Sequence, residues 1–344
     1  MRIAIDAREL GGRPTGVGRY LSELLAAWEQ MPEARAHEFI LLRPADGDGS
    51  TAWEQLELPR LVREARADLL FAPGYTGPLR CAVPMVVAVH DVSFAAHPEW
   101  FSWREGARRR TITRLAAERA ARVLTISEFS RREIVRHLGV PESKVTVTYL
   151  GVTSSLAARA FTARQAHTIL YVGSLFNRRH IAELVAGVAR LAQRQPGVRL
   201  ELVGDNRTRP HLDVGALALA AGARDAIGVQ SYVPDEELAA LYAGARAFVF
   251  LSSYEGFGLT PLEALASGLP IVVLDTAVAR EIYGDAAIYV TRPDPALIDA
   301  ALERALFDEP ERARVMQAAP AILARYSWPR CAERVLDVLI ACRA

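Results

Sequence analysis

Residues 253–270 read Ser-Tyr-Glu-Gly-Phe-Gly-Leu-Thr-Pro-Leu-Glu-Ala-Leu-Ala-Ser-Gly-Leu-Pro, and they lie between two short apolar runs, 245–251 and 271–274. Short apolar runs of this kind are typical of buried β-strands, whereas the residues between them suit a glycine loop followed by one short helix. A strand, a loop, a helix and a second strand in this order predict a parallel sheet whose strands are joined by helices.

The loop of this segment has the features of an anion site. Gly256 and Gly258 have no Cβ, so the backbone there can approach a ligand closely. Pro261 fits the first turn of a helix, where free N–H groups and the helix dipole attract negative charge. Because Glu255 and Glu263 flank this site, we expect a phosphate that carries hydroxyl-rich groups on both sides. The alternative is a capped loop with two solvent-facing glutamates.

Composition limits the classes of function. A chain of 344 residues fits two domains, and a net charge of +1 gives no sign of nucleic-acid binding. Cys81, Cys331 and Cys342 make neither a zinc spacing nor a disulfide framework. Together with an N-terminus that lacks signal-peptide features, this predicts a cytoplasmic protein. No apolar run approaches the roughly 18 residues of a membrane span, so we expect any membrane contact to be peripheral.

Strand and helix patterns alternate along the chain in two series. The first ends at the strand 145–147, the second begins at the strand 168–172, and residues 154–166 read as a linker. The predicted fold is therefore α/β, with two Rossmann-like domains of doubly wound parallel sheet facing across a cleft. We expect an N-terminal acceptor domain over 1–155, a donor domain over 156–325, and a helix in 326–344 that crosses back to the first domain.

The first predicted strand is followed by a glycine-rich loop, residues 11–20. Gly16, Val17 and Gly18 lie in it, but Leu21 stands where a dinucleotide motif has its third glycine, and no P-loop motif is present. A flexible turn is the alternative to a binding loop here.

A second candidate in the first domain is His90-Asp91. The pair follows the predicted strand 85–89, and the carboxyl ends of strands are where open α/β sheets bind ligands.

Two charged segments allow two interpretations each. Asp46-Gly47-Asp48 is a DxD pattern, but it lies in a Gly/Ser/Pro-rich stretch, which favours a solvated loop over a metal site. Residues 104–136 are dense in arginine, on two predicted helices. This arginine patch is either a solvated face or a surface that contacts anionic lipid headgroups.

Several motifs together resemble one enzyme family. Glu255 to Pro270, with its two glutamates separated by seven residues, resembles the signature of the retaining group-1 glycosyltransferases of family 4, which have the GT-B fold. Further motifs resemble that family in the same order along the chain: Gly16-Val17-Gly18-Arg19-Tyr20, His90-Asp91-Val92-Ser93-Phe94, Ser127-Glu128-Phe129-Ser130, Tyr171-Val172-Gly173 with Arg178-Arg179, and Tyr326-Ser327-Trp328. The chain departs from the family at Arg179 and His180, where lysine and asparagine are usual, which puts the pocket geometry in question.

The resemblance implies roles for the residues of the second domain. Arg178 and Arg179 would hold the donor diphosphate and stabilise the leaving group in place of a metal ion. Glu263 would accept hydrogen bonds from the ribose, and Glu255 would hold the donor sugar. Backbone N–H groups of Gly256, Phe257, Gly258 and Leu259 would bind sugar and phosphate. Gly173 belongs to the same site, and backbone around Val233 would contact the base.

The resemblance also implies roles in the first domain and an overall activity. Gly16, Val17 and Gly18 would close over the diphosphate, and His90 would contact the donor sugar. The expected activity is metal-independent, retaining hexosyl transfer from a nucleotide diphosphate sugar, with GDP-mannose as first candidate, to a glycan or lipid-linked acceptor in polysaccharide biosynthesis. No cofactor, metal or nucleic acid is implied. The alternatives are a UDP-sugar donor, a GT-B sugar-nucleotide epimerase, and a non-catalytic subunit that binds a sugar nucleotide.

Overall fold

The computed structural model of the chain describes residues 1–11, 15–45, 49–152 and 167–342. The DxD pattern at Asp46 and Asp48 and the expected linker 154–166 lie outside these residues. The chain divides into two compact units: unit 1 is residues 1–151 with 326–344, and unit 2 is residues 152–325.

Unit 1 contains a six-stranded parallel sheet in the order β2-β1-β3-β4-β5-β6. Its strands are β1 (Arg2–Asp6), β2 (Glu38–Leu42), β3 (Leu69–Ala72), β4 (Met85–Ala88), β5 (Arg122–Thr125) and β6 (Val145–Val147). Its helices are α1 (Gly16–Gln30), α2 (Leu58–Glu64), α3 (Ser93–Ala96), α4 (Trp103–Arg119), α5 (Glu128–Leu138) and, from the end of the chain, α13 (Trp328–Ala341).

Unit 2 contains a second six-stranded parallel sheet in the order β12-β11-β10-β7-β8-β9. Its strands are β7 (Thr168–Val172), β8 (Arg199–Val203), β9 (Ile227–Gln230), β10 (Ala247–Phe250), β11 (Ile271–Leu274) and β12 (Ile288–Val290). Its helices are α6 (Ile181–Arg194), α7 (Val214–Ala220), α8 (Asp235–Gly244), α9 (Leu259–Ala266), α10 (Ala277–Tyr283), α11 (Pro295–Phe307) and α12 (Glu309–Leu323).

The central strands are apolar on both faces because helices cover both sides of each sheet. β3, β4, β10 and β11 are buried at every residue. The predicted α/β class and the strand pattern are therefore confirmed. Three helical segments had no predicted counterpart: residues 51–64, α3 and α12.

Each sheet reverses its strand order at one point. In unit 1 the reversal lies between β1 and β3, and in unit 2 between β7 and β10. The connections diverge to opposite faces there, which leaves a crevice at the carboxyl ends of the two strands, the usual ligand position in such sheets. The reversal in unit 2 positions Arg178 and Arg179, which follow β7, next to Glu255, which follows β10.

One predicted boundary was wrong. Gly16 and Gly18 do not lie in a loop but form the first turn of α1, which begins at Gly16, within the predicted loop 11–20. The side chain of Thr15 caps the helix and accepts the N–H of Gly18 at 2.9 Å, which stabilises this early start. Gly18 is required for packing, because a Cβ there would collide with the carbonyl of Glu9.

The last helix packs on the first. The indole N–H of Trp28 in α1 donates to the carbonyl of Ala332 in α13 at 2.9 Å. Gly151 leaves room for the backbone of Trp328, with which a Cβ would collide. The C-terminal helix therefore shares the core of unit 1.

Candidate functional site in two α/β units

The site of unit 2 lies at the carboxyl ends of β7 and β10, where the strand order reverses. Arg178 and Arg179 follow β7 on the short 3-10 turn Asn177–Arg179, and Glu255 follows β10. The backbone joins the two segments, because the N–H of Ser253 donates to the carbonyl of Arg178 at 2.9 Å. Two segments 76 residues apart in sequence are in this way brought together.

Glu255 is held at one of its two oxygens. Oε1 accepts the hydroxyl of Ser252 at 2.8 Å and Nε of Arg179 at 3.0 Å, and lies 3.9 Å from Nε of Arg178. Among the described residues, every contact of this carboxylate falls on Oε1. Oε2 is the oxygen left to accept hydrogen bonds from a ligand.

Arg179 is nearly buried, with 12% of its side chain exposed. Its Nη1 donates to the carbonyl of Ser174 at 2.7 Å, and its guanidinium lies 4.7 Å from the ring centroid of Phe250. Burial is the largest single influence and would lower the pKa of Arg179, but the Glu255 carboxylate and Tyr171 together outweigh it, so the pKa is raised. Arg179 therefore stays charged although it is buried.

Arg178 lies over the ring of Phe176, with its guanidinium carbon 4.3 Å from the ring centroid. The same ring is 5.4 Å from the guanidinium of Arg179. Two guanidiniums and one carboxylate leave a surplus of one positive charge in a site where the three side chains are each less than one-fifth exposed. Such a site favours an anion.

Glycines shape the backbone on both sides of the cluster. Gly173 has a φ of +141°, and a Cβ there would lie 2.7 Å from Nη1 of Arg179. Gly258 has a φ of +90°, and a Cβ there would collide with the hydroxyl of Tyr283, which donates to the Gly258 carbonyl at 2.8 Å. Both positions require glycine for reasons within the protein itself.

The helix α9 starts at Leu259, beside this cluster. No side chain of the described residues caps its first turn, in contrast to α1, α4 and α5. Gly256 and Phe257 are buried in the preceding loop. The helix start therefore keeps the dipole and orphan N–H groups that attract an anion.

Glu263 lies on α9 and is only 5% exposed, so the alternative of two solvent-facing glutamates is wrong. Val233, in the turn before α8, is also buried.

The site of unit 1 is centred on His90, after β4. Its ring is buried between Tyr20 and Tyr75, with centroid distances of 4.9 and 5.4 Å, and Nε2 lies 2.8 Å from the carbonyl of Pro73. Burial lowers the pKa of His90, so the ring is neutral at pH 7. Because a carbonyl only accepts, Nε2 carries the proton and Nδ1 is left as an acceptor.

Four residues of the unit 2 site were not predicted from the sequence. They are Ser174, Phe176, Ser252 and Tyr283. Ser252 directly precedes the predicted segment 253–270, and this position could have identified it as a site residue. Tyr283 lies at the end of α10, and no local pattern connects it to Gly258.

The arginine patch (residues 104–136) lies largely at the surface of unit 1. The arginines of α4 point largely to solvent, and several are paired on their own helix, as Arg109 with Glu105 at 2.8 Å and Arg114 with Glu118 at 2.7 Å. In the described ranges, no helix is long and apolar enough to cross a membrane. The same ranges contain no group of three His, Cys, Asp or Glu side chains arranged to hold a metal ion.

Comparison with known proteins gives two family matches that together span most of the chain. Residues 14–156 match the model described as Glycosyltransferase Family 4, and residues 158–321 match the model described as Glycosyl transferases group 1. These matches correspond to the two sheets described above.

Named relatives and solved structures agree with these matches. O-antigen chain mannosyltransferase B of Escherichia coli is 29% identical over 73% of this chain and 69% of its own length. GDP-mannose:cellobiosyl-diphosphopolyprenol alpha-mannosyltransferase of Xanthomonas oryzae pv. oryzae is 27% identical over 74% of this chain and 67% of its own length. The structure of Anabaena HepE with UDP-glucose covers 99% of both chains with a TM-score of 0.76 at 17% identity. At 17% identity, the similarity to HepE shows a shared fold alone.

The family matches, the fold and the named relatives agree with the resemblance seen in the sequence. The chain belongs to the group 1 glycosyltransferases of family 4, with the GT-B fold, and is a retaining glycosyltransferase.

Proposed function

We propose that this glycosyltransferase transfers a hexose, without a metal ion, from a nucleotide diphosphate sugar to a hydroxyl of a glycan or lipid-linked acceptor in polysaccharide biosynthesis. The observation that carries the proposal is the cluster of Arg178, Arg179 and Glu255 at the strand reversal of unit 2. It combines a largely buried surplus of positive charge with a carboxylate that has one oxygen left for a ligand.

In this proposal the two arginines bind the donor diphosphate. Phosphate oxygens accept bonds from guanidinium groups in a fork geometry, and the positive surplus stabilises the charge that develops as the diphosphate leaves. The start of α9 supplies N–H groups and dipole to the same anion. Arg179, in the position where the family usually has lysine, is held by Ser174 and Glu255, which fixes the direction of its guanidinium.

Glu255 holds the donor sugar through Oε2, which accepts from sugar hydroxyls close to the anomeric carbon. Glu263 binds the ribose, the loop of Gly256, Phe257 and Gly258 follows the sugar and phosphate, and Gly173 and Val233 contribute backbone to the diphosphate and base.

In unit 1, neutral His90 contacts the donor sugar, and its Nδ1 accepts a hydrogen bond from a sugar hydroxyl. Val17 and Gly16 act from the first turn of α1. Because the N–H of Gly18 is already bonded to Thr15, the contribution of this turn to the diphosphate comes from its other N–H groups.

Retention follows when the acceptor hydroxyl attacks from the face that the diphosphate leaves. The leaving phosphate oxygen takes the acceptor proton. A retaining glycosidase needs a pair of carboxyl groups about 5–5.5 Å apart for its double displacement, and the proposed mechanism requires no such pair.

GDP-mannose is the first candidate donor. The support is that two relatives are named as mannosyltransferases, one of them with GDP-mannose and a diphosphopolyprenol-linked acceptor in its name. A UDP-sugar donor is the alternative. An epimerase would release free altered sugar in the absence of acceptor, and a non-catalytic subunit would bind donor without turnover.

The test is donor turnover with a panel of GDP- and UDP-sugars in the presence of EDTA. We expect slow hydrolysis of one donor and faster transfer when an acceptor is added, at a rate that EDTA does not change. No turnover of any donor would contradict the proposal, and turnover that requires Mg²⁺ or Mn²⁺ would contradict its metal-independence.

We also propose peripheral contact with anionic membranes through the arginine patch (residues 104–136), on the inner face of the cytoplasmic membrane. Arg104, Arg108 and Arg110 are exposed, and Trp103 beside them is 76% exposed, a residue type that favours membrane interfaces.

The test is sedimentation with vesicles that contain anionic lipid. Binding should fall as salt is raised and should be lost in the triple variant Arg108→Glu, Arg109→Glu and Arg110→Glu. The matched control reverses three exposed arginines of unit 2, at positions 199, 224 and 292. Equal loss in both triple variants, or binding indifferent to salt, would refute a specific patch.

A further inference from the structure

Unit 1 contains a cavity of about 550 Å³ at the amino ends of β4 and β5, the amino-edge cavity. Its lining includes Met85, the first residue of β4, and Ala121, which directly precedes β5. His90 follows the opposite, carboxyl end of β4. Because β4 has four residues and a strand rises about 3.3 Å per residue, about 13 Å of strand separates the two edges. The cavity is therefore separate from the site around His90.

Three arginines and no acidic side chain line the amino-edge cavity. Arg63 lies in the last turn of α2, Arg80 in the loop before β4, and Arg119 in the last turn of α4. All three residues are exposed, so their guanidinium groups are accessible to a ligand.

The carboxylates next to these arginines in sequence are held by other arginines. Glu64, which follows Arg63, pairs with Arg60 at 2.6 Å. Glu118, which precedes Arg119, pairs with Arg114 at 2.7 Å. Among the residues that the structure describes, the three arginines of the cavity have no ion pair.

Helix ends reduce the positive charge of the cavity but do not cancel it. The C-terminus of a helix carries about half a negative charge, and α2 and α4 both end here, so about two of the three positive charges remain. Burial raises the pKa of the Cys81 thiol and outweighs the nearby backbone N–H groups and Arg63, which act in the opposite direction. The thiol is therefore neutral at pH 7 and adds no negative charge.

The rest of the lining is apolar. Apart from the arginines and Cys81, its side chains are those of apolar residues, such as Leu79, Val83 and Met85. Arginine has five N–H donors and no acceptor, so the cavity offers donors to an anion and hydrocarbon to an organic group. Its volume of about 550 Å³ lies within the range of about 300 to 1,000 Å³ that is typical of small-molecule sites.

We propose that the amino-edge cavity binds a phosphate monoester, with the phosphate on Arg63, Arg80 and Arg119 and the organic part against the apolar wall. Phosphate oxygens accept hydrogen bonds from guanidinium groups in a fork geometry. The site goes beyond the proposed transfer function, because it lies at the edge of the sheet opposite to His90. Two sources supply this chemistry, a soluble phosphate ester and the headgroup of phosphatidic acid.

The test uses Cys81 as a reporter inside the cavity. The full-length protein is alkylated with N-ethylmaleimide, an uncharged reagent, and peptide mass spectrometry follows Cys81 and Cys342 separately. Cys342 is partly exposed and lies outside the cavity lining, so it reports general effects on the protein.

The probe is phenyl phosphate, with phenol as its counterpart without the phosphate. At about ten times its Kd, phenyl phosphate should slow the alkylation of Cys81 about tenfold and leave that of Cys342 unchanged. Phenol should protect neither cysteine. This comparison needs the wild-type protein alone.

Substitutions on the same two helices test the location. The double variant Arg63→Gln and Arg119→Gln removes two of the three charges and should weaken phenyl phosphate binding by about tenfold or more. The matched control, Arg60→Gln and Arg114→Gln, removes the same charge from α2 and α4 outside the lining and should change the affinity by less than about twofold. Arg80→Gln, in the loop, is an independent variant that should also weaken binding. Thermal unfolding verifies that each variant is folded.

The two sources are distinguished by glycerol 3-phosphate and by vesicles that contain phosphatidic acid. Protection of Cys81 by glycerol 3-phosphate assigns a soluble ester, whereas protection by the vesicles alone assigns the lipid headgroup. The inference is overturned if no phosphate probe protects Cys81, if phenol protects it equally, or if protection survives in the folded Arg63 and Arg119 variant.

Discussion

Replacing Glu255 by glutamine should destabilise the free protein, tighten nucleotide binding and abolish most of the turnover. Glutamine keeps the size of the side chain and an acceptor oxygen, and it removes the charge opposite Arg179. Their contact at 3.0 Å joins side chains that are 12% and 19% exposed. Hydrogen bonds to charged groups contribute about 1.5–3 kcal/mol, so we expect a loss of about 2 kcal/mol. For a unit of about 170 residues, this lowers Tm by about 4–8 °C.

The same substitution should strengthen nucleotide binding although it weakens the stability of the fold. Without the carboxylate the surplus positive charge of the cluster rises from one to two, so a nucleoside diphosphate should bind more tightly. A gain of about 1 kcal/mol corresponds to an affinity about fivefold higher. Because glutamine holds the donor sugar less well in the transition state, kcat should fall by about 10²- to 10³-fold.

The assay combines calorimetry with GDP and UDP, thermal unfolding with and without nucleotide, and donor turnover. The control is Glu303→Gln, which breaks an exposed pair with Arg194 of the same length, 3.0 Å, and should change stability by less than about 0.5 kcal/mol. If Glu255→Gln weakens nucleotide binding, or loses activity only in proportion to unfolded protein, the cluster is structural and the reasoning is refuted.

Further predictions concern backbone and pH. Gly258→Ala should lower Tm by several degrees more than the control Gly139→Ala. Both glycines have a positive φ, but only a Cβ at Gly258 would collide with the hydroxyl of Tyr283. Equal shifts of Tm in differential scanning calorimetry would contradict this. The pKa of His90 is lowered by burial, so the folded protein binds fewer protons than the unfolded chain below the ordinary pKa of 6.5. The stability from neutral His90 is therefore complete above pH 6.5 and is lost as pH falls below it, by at most about 1.4 kcal/mol per pH unit. In His90→Gln, urea unfolding between pH 5 and 6.5 should show a smaller slope with pH; an unchanged slope would assign the acid sensitivity to other groups.

Much of the architecture was predictable because strands and helices have local patterns. β10, α9 and β11 follow from two apolar runs and a proline-containing helix start. α12 was missed because its apolar residues are weakly segregated to one face and Pro320 lies within it. The early start of α1 was missed because it depends on the cap by Thr15 in a glycine-rich segment.

The candidate site was predictable in its residues but not in its contacts. The pairing of Arg179 with Glu255 depends on β7 lying next to β10, and strand order is a property of the whole sheet. Gly258 was assigned to close approach of a ligand, whereas its positive φ and the Tyr283 hydroxyl give an internal reason for glycine. A pocket at the carboxyl ends of β1, β3 and β4 is lined by residues from five separate segments, and no local pattern links them.

The most direct test of the central claim is a crystal structure of the protein with an intact donor sugar nucleotide. We expect diphosphate oxygens within hydrogen-bond distance of Arg178 and Arg179, and a hydroxyl of the donor sugar on Oε2 of Glu255. A donor bound with its diphosphate away from both arginines, or with its sugar turned away from Glu255, would contradict the account.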